Sequence, residues 1–343
     1  MDVKHHQRFL LADRSFANIV KRDITRIAES YGFSPSEVGR INIVVSEMAS
    51  NLLKHSPQGG ELLVKYTTAN ALEIICFDSG PGMKDPQRMM QDGSSTAGTA
   101  GEGLGAIVRQ SHTFDMYTQP GCGTILLTRF YKGQTEAPKQ TNTFQIGTII
   151  VPKPNEQFCG DGFAATVHGK HCYLIALDGL GHGAAANDAS SEAVAAFLQQ
   201  HTTDAAQNLR HIHASIRKTR GAVGTIVHID AAQKRISYCG VGNIAGRLYQ
   251  IDGPAIVNSL SKNIMAYNGI LGHNIPATLN TQTIEWNNSK LLILHSDGIK
   301  SRWDLSKYTN LHRHDASIIA AVVYRDFKRD TDDSLVVVVR SKS

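Results

Sequence analysis

A polar break most constrains what this chain can fold into. Residues 131–143, YKGQTEAPKQTNT, carry Gly and Pro and no apolar run, yet the strand-like GTILLTRFY leads into them and FQIGTIIVP follows. A turn-rich stretch between two strands continues neither core, so it marks a domain boundary. At 343 residues the chain is long for one core and comfortable for two. The expected domains are residues 1–135 and 144–343. No internal repeat or low-complexity tract crosses the division.

The first half opens with an expected edge strand at RFLLA. Phe16, Val20, Ile24, Ile27 and Tyr31 then recur at spacings of three and four, which predicts a helix over residues 14–31 with one apolar face. At SPSE, Ser34 suits the N-cap, Pro35 the first helical position and Glu37 the reciprocal capping contact, so a second helix starts there and runs to about His55. Strands follow at ELLVKYTT and ALEIICFD. After a Gly-rich loop and a short helix come FDMYTQ and GTILLTRFY. Helices followed by an antiparallel sheet give an α+β layer sandwich.

The second half is richer in strands. FAATVHG and HCYLIALDG predict a hairpin around Gly169, and helices are expected over residues 184–200 and 204–219. Strands resume at GTIVHID, RISYCGVG, AGRLYQI and KLLILHSDG. A last helix covers about residues 314–327, and LVVVVR is the final strand. Several of these strands are nearly continuous apolar runs, the pattern of strands covered on both faces.

The composition excludes some partners. The net charge is +5, and no run of five basic residues supplies the stripe that nucleic-acid binding needs. A hydrophobic fraction of 41% and a charged fraction of 19% are ordinary for a globular protein. The five cysteines form no CxxC pair, which argues against a zinc site, and Cys76 and Cys172 read as buried small hydrophobes of a reducing compartment. No apolar run approaches the ~20 residues of a membrane span, and the opening residues lack a signal-peptide stretch. The expectation is a cytoplasmic, soluble protein with no membrane or nucleic-acid partner.

Three clusters in the first half carry chemistry. Glu47 and Asn51 in EMASN are four apart and share a helix face. A carboxylate there can accept a proton, and a carboxamide oxygen suits Mg²⁺; alone, the pair also fits a solvated surface. Asp78 leaves an apolar strand into DSGPG. Its carboxylate can accept from an amino group such as adenine's, and Gly80 and Gly82 allow close approach; by itself this is also a plain turn. The run GTAGEGLG, with Gly101, Gly103 and Gly105, leads into a helix and makes an anion site. Without a preceding parallel strand–helix–strand unit it is not a Rossmann fingerprint.

Taken in order, EMASN, DSGPGM, GEGLG and GCGT resemble the N, G1 and G2 boxes and the closing GT of the GHKL ATPase superfamily. More narrowly, DSGPGMKDPQRMMQDGSSTAGTAGEGLGA is similar to the stressosome serine kinases of the RsbT type, over roughly residues 10–132. The resemblance implies a Bergerat ATP-binding α/β sandwich. It implies Glu47 as general base, Asn51 as Mg²⁺ ligand, Asp78 and Thr124 near adenine, and Gly101, Gly103 and Gly105 around the phosphates. Residues 83–98 would be the ATP lid. Histidine kinases share this site, but no long upstream helix with an acceptor His is present.

In the second half, Asp161 lies in CGDGF, Asp178 in LIALDGLGHG, Asp297 in LLILHSDG, and Asp332 and Asp333 in TDDSLVVVV. Each sits at the end of an apolar strand, where a carboxylate is rigidly held and several can converge on hard cations. A single Asp-Gly also reads as a turn. The runs DGLGHG, GVGNIAG, SDG and DD resemble the SpoIIE/RsbX/RsbU branch of the PP2C-like phosphatases over about residues 144–343. This implies an αββα sandwich with two Mn²⁺ or Mg²⁺ ions that activate water for attack on phosphorus, without a phosphoenzyme. Asp178 would bridge the metals with the Gly179 carbonyl adding a ligand, Asp297 and Asp332 would hold one, and Asp161 would support the other. His182 would contact the phosphate or leaving group, although it also reads as a turn histidine. The family's final motif has Thr two places after the second Asp, where this chain has Leu335 after Ser334. The choice between Asp332 and Asp333 as ligand is therefore open.

Together the resemblances imply a bifunctional partner switch: ATP-dependent Ser/Thr phosphorylation of a STAS-domain partner, and metal-dependent hydrolysis of phosphoserine or phosphothreonine. The alternative is an ATP-binding module that docks a partner or gates the phosphatase without significant kinase activity.

Overall fold

The computed structural model describes residues 5–89, 103–138 and 142–342. The chain divides into two compact units, His6–Gln140 and Thr141–Ser343. In the first, β1 (Gln7–Leu11) precedes α1 (Arg14–Ser30) and α2 (Pro35–His55), then β2 (Gly60–Tyr66), β3 (Ala71–Asp78), α3 (Pro86–Met89), α4 (Gly103–Gln110), β4 (Thr113–Thr118) and β5 (Thr124–Tyr131). One antiparallel sheet runs β1-β2-β3-β5-β4, with β1 at its edge.

Local chemistry sets the helix starts. Ser34 Oγ accepts from the Glu37 amide and Glu37 Oε2 accepts from the Ser34 amide, with Pro35 in the first turn. A cap of this kind is worth about 1 kcal/mol. From α2, Ile41, Val44, Val45, Met48 and Leu52 are buried at helical spacing; they join Val20 and Ile24 of α1 and Leu62, Ile74 and Leu126 of the sheet in one core. The helices therefore cover one face of the sheet, the expected α+β sandwich. Of the expected lid, residues 83–89 are described and contain α3; the rest, and Gly101, lie outside the described residues.

The second unit begins with β6 (Phe144–Val151), β7 (Asp161–His168) and β8 (His171–Gly179), then α5 (Ala184–Gln199) and α6 (Ala205–Ser215). There follow β9 (Ala222–Asp230), β10 (Arg235–Val241), β11 (Ala245–Asp252), β12 (Ala255–Ile264), β13 (Gln282–Glu285), β14 (Lys290–His295), α7 (Ala316–Phe327) and β15 (Ser334–Ser341). Two antiparallel five-stranded sheets form, β13-β10-β9-β8-β7 and β12-β11-β14-β15-β6. Leu174, Ile226, Leu292 and Val337 share one core between them. With α5 and α6 on the first sheet and α7 on the second, the layers read αββα. Cover on both faces explains why β9 is buried along its whole length.

The hairpin turns at Gly169 as expected, where φ is +57°. The second expected helix is shorter than residues 204–219 and ends at Ser215. The sequence reading did not anticipate α3, β12 or β13. No helix among the described residues is long and apolar enough to cross a membrane.

Candidate active sites

In the first unit, α2 presents Glu47 and Asn51 one turn apart, both half-buried. The start of α4 lies directly against them. A Cβ at Gly103 would stand 2.8 Å from Glu47 Oε2 and 3.7 Å from Asn51 Oδ1, so a side chain there would press on the Glu47 carboxylate. Gly105 is buried two residues further along α4.

Asp78 ends β3, and its Oδ1 accepts from the Gly80 amide at 2.7 Å. Gly80 also packs on the carbonyl of His55, at the end of α2 one turn beyond Asn51. Across the loop, a Cβ at Gly123 would stand 2.1 Å from the Asp78 carbonyl oxygen, so the β4–β5 hairpin touches the end of β3 through backbone alone. Thr118, which the sequence reading missed, ties these parts together. Its hydroxyl accepts from the Met83 amide at 2.9 Å, donates to the Gly123 carbonyl at 3.1 Å and lies 3.1 Å from the hydroxyl of buried Thr124. The structure thus gathers Glu47, Asn51 and Gly103 at one end of this rim, and Asp78, Gly80, Gly82 and Thr124 at the other.

In the second unit, Asp178, Asp297 and Asp332 line one cavity of about 420 Å³ with Gly181, Asn243 and Asn268. Backbone contacts bring the strand ends together. A Cβ at Gly179 would stand 2.3 Å from the Ala186 carbonyl, and one at Gly298 only 1.9 Å from the Asp333 carbonyl. Asp161 and Asp178 are cross-strand partners on β7 and β8.

The electrostatics are one-sided. Burial, then Asp297, Asp332 and Asp333, push the Asp178 carboxyl up to about 8. Burial and Asp178 raise buried Asp161 well above the usual range, although Ser296 Oγ donates to it at 2.6 Å. Burial and Asp332 raise Asp297, against a partial offset from Arg329 and from Asn243, whose amide donates to it at 3.1 Å. Burial, reinforced by like charges gathered in one place, produces this pattern.

The adjacent aspartates have different surroundings. Asp333 accepts from the amides of Lys153 (2.7 Å) and Gly160 (2.8 Å), while Asp332 lines the cavity. Ser296, absent from the sequence reading, also accepts from the Leu335 amide at 2.9 Å and so couples Asp161 to β15. His182 is not part of the cavity lining. Its Nδ1 lies 2.7 Å from Glu156 Oε1. Among the described residues no three carboxylate, imidazole or thiolate groups form a ready-made chelate; the aspartates ring the cavity at wider spacing.

A helix-backed antiparallel sheet with this loop rim, followed by an αββα sandwich with aspartates at its strand ends, defines a kinase-like ATPase domain joined to a PP2C-type phosphatase domain. The first matches the family described as the histidine kinase-like ATPase domain over residues 12–129. The second matches the family described as Stage II sporulation protein E (SpoIIE) over residues 168–341, just over half of the chain. The chain belongs to the SpoIIE family.

Its first unit is similar to the serine/threonine-protein kinase RsbT of Bacillus subtilis (strain 168), 34% identical over 100 residues, or 29% of this chain and 75% of that protein. Its second unit is similar to the phosphoserine phosphatase RsbX of the same organism, 26% identical over 161 residues, or 47% of this chain and 74% of that protein. A crystal structure of RsbX in complex with magnesium shares the fold, with a TM-score of 0.50 and 22% identity over 60% of this chain and 98% of that one.

Proposed function

We propose that the chain is a two-activity partner switch in which the first unit phosphorylates Ser or Thr on a STAS-domain partner and the second removes phosphate from phosphoserine or phosphothreonine. The observation that carries the phosphatase half is the cavity lined by Asp178, Asp297 and Asp332, in which burial and neighbouring carboxylates push Asp178 and Asp297 up, with only a partial offset from Arg329 at Asp297. Hard carboxylate oxygens around a polar cavity fit Mg²⁺ or Mn²⁺ completed by water. Asp178, Asp297 and Asp332 would hold the ions beside the Gly179 carbonyl. Bound ions would neutralise phosphoryl charge and make water more acidic. Asp161 stands behind Asp178 on the neighbouring strand, fixed by Ser296. Asn243 orients Asp297, and Asp333 anchors the loop that carries Lys153 and Gly160.

In the first unit, Glu47 would take the proton of the acceptor hydroxyl, Asn51 would hold Mg²⁺, and Asp78, beside Thr124, would accept from the adenine amino group of ATP. The approach of α4 supports this reading, because Gly103 at its start lies against both Glu47 and Asn51.

The test is incubation with ATP and candidate STAS proteins, read by intact mass with and without Mn²⁺. Wild type should add one phosphate to the partner and, with Mn²⁺, remove it. Asn51→Ala should abolish the addition, and excess EDTA the removal. Nucleotide binding with no phosphate added to any partner would leave the first unit as a docking or gating module.

A further inference from the structure

A second cavity of about 340 Å³ adjoins the aspartate cavity, and no residue assigned above to the chemistry accounts for it. Gly242 and Asn243 line both, so the two cavities share a wall. On that wall the Asn243 amide is turned toward Asp297.

The second cavity is built around a cation. Arg247 on β11 stands opposite Asn263 on β12, and its Nε donates to Asn263 Oδ1 at 3.2 Å. The guanidinium carbon lies 5.8 Å from the Tyr249 ring centroid. Among the described residues Arg247 makes no ion pair with a carboxylate. A guanidinium held by the Asn263 amide and by the ring and hydroxyl of Tyr249 still keeps donors for a planar anion.

The aromatic part of the lining is fixed. Trp303 stacks on Tyr249 at 5.7 Å and on Phe327 at 5.7 Å, and its indole N–H donates to His295 Nε2 at 3.4 Å. Nδ1 of buried His295 lies 2.8 Å from the Ser296 carbonyl, which can only accept. Nδ1 therefore carries the proton, and Nε2 is left to accept from Trp303. Met265, 58% exposed, adds an apolar lip. The result is a slot whose lining combines a cation with a fixed indole, both packed on Tyr249.

We propose that this slot receives an acidic side chain close in sequence to the phosphorylated residue of a phosphoprotein substrate, with Arg247 and Asn263 binding its carboxylate. The proposal rests on the phosphatase reading of the neighbouring cavity and adds a substrate preference to it. An extended peptide advances about 3.3 Å per residue, so a phosphoryl group beyond the shared wall leaves a residue a few places away at the slot. Arg247 is then a specificity residue.

The experiment uses the full chain with Mn²⁺ and synthetic phosphoserine peptides flanked by Asp, by Ala or by Lys. Hydrolysis is followed by phosphate release and binding by fluorescence anisotropy. Wild type should favour the Asp-flanked over the Ala-flanked peptide by about tenfold in both kcat/KM and Kd. Arg247→Ala should erase that ratio, and Arg247→Glu should turn the preference toward Lys. Each result is a ratio within one protein, so partial loss of folded material does not imitate it. Equal use of Asp and Ala peptides by wild type, or a ratio unchanged in Arg247→Ala, overturns the proposal. An Arg247-dependent binding ratio without hydrolysis would uphold the slot and sink the phosphatase reading.

Discussion

Each unit buries a knot of charge, and the two knots are balanced in opposite ways. In the first, Glu73 on β3 is 3% exposed, and its Oε2 lies 2.7 Å from Nε of Arg129, its cross-strand neighbour on β5. Lys65 faces it from β2, and His6 Nε2 lies 3.8 Å from its other oxygen. Burial alone would raise the Glu73 carboxyl, but Arg129, His6 and Lys65 outweigh it and hold it far below the usual range. In the second unit the aspartates raise one another. A buried knot that balances itself belongs to the fold. One left unbalanced is held in place by the rest of the fold and invites a cation from outside.

The comparison can be broken most sharply by neutralising one acid in each knot. Asp178→Asn should cut metal-dependent phosphatase turnover by about a thousandfold, as loss of a central electrostatic group does. Because it also removes like-charge repulsion, the metal-free protein should melt no lower than wild type in calorimetry. Glu73→Gln should do the reverse, lowering stability by about 3 kcal/mol in urea unfolding by leaving Arg129 buried without its partner.

The Glu73 contribution also has a pH signature. Its folded carboxyl titrates below the ordinary Glu value of about 4.3. The stabilisation is therefore complete above that value and lost as pH falls below it toward the folded one. The urea midpoint of Glu73→Gln should converge on that of wild type in acid, and a constant gap down to pH ~2 would remove Glu73 from the account.

Ser296→Ala tests the support of the unbalanced knot. Losing the hydroxyl that joins Asp161 to the Leu335 amide should weaken Mn²⁺ affinity by about tenfold to a hundredfold, measured by calorimetric titration. The smallest effect is expected from Lys65→Met. Burial lowers the lysine's own pKa while Glu73 raises it, so the pairing gain is largely offset. A change within about 0.5 kcal/mol would assign the balance to Arg129.

The parts of this structure legible in the sequence are those written locally. Ser34, Pro35 and Glu37 lie within one turn, and their capping contacts form as read. Asp178 and Asp297 could be seen because each ends a run of apolar strand residues. The missed strands, β12 and β13, are both at sheet edges, where a strand has one neighbour and no continuous apolar run is required. AIVNSLSKNI and QTIE therefore carry little strand signal. The difference between Asp332 and Asp333 lies in amides contributed to Asp333 by Lys153 and Gly160, far away in sequence. The Glu73–Arg129 pair, 56 residues apart, was hidden for the same reason. Distant partners leave no periodicity to read.

The contacts at Gly179 and Gly298 bear on how such a chain ages under mutation. There, main chain meets main chain: the residue after Asp178 abuts the Ala186 carbonyl of α5, and the residue after Asp297 abuts the Asp333 carbonyl. Core side chains elsewhere can drift in size and shape and be absorbed by local repacking. At these two glycines the closeness of approach is set by backbone, which every sequence shares. A frame of this kind tolerates wide divergence in the side chains around it. The same frame is brittle at two points, because a single methyl at either glycine has nowhere to go.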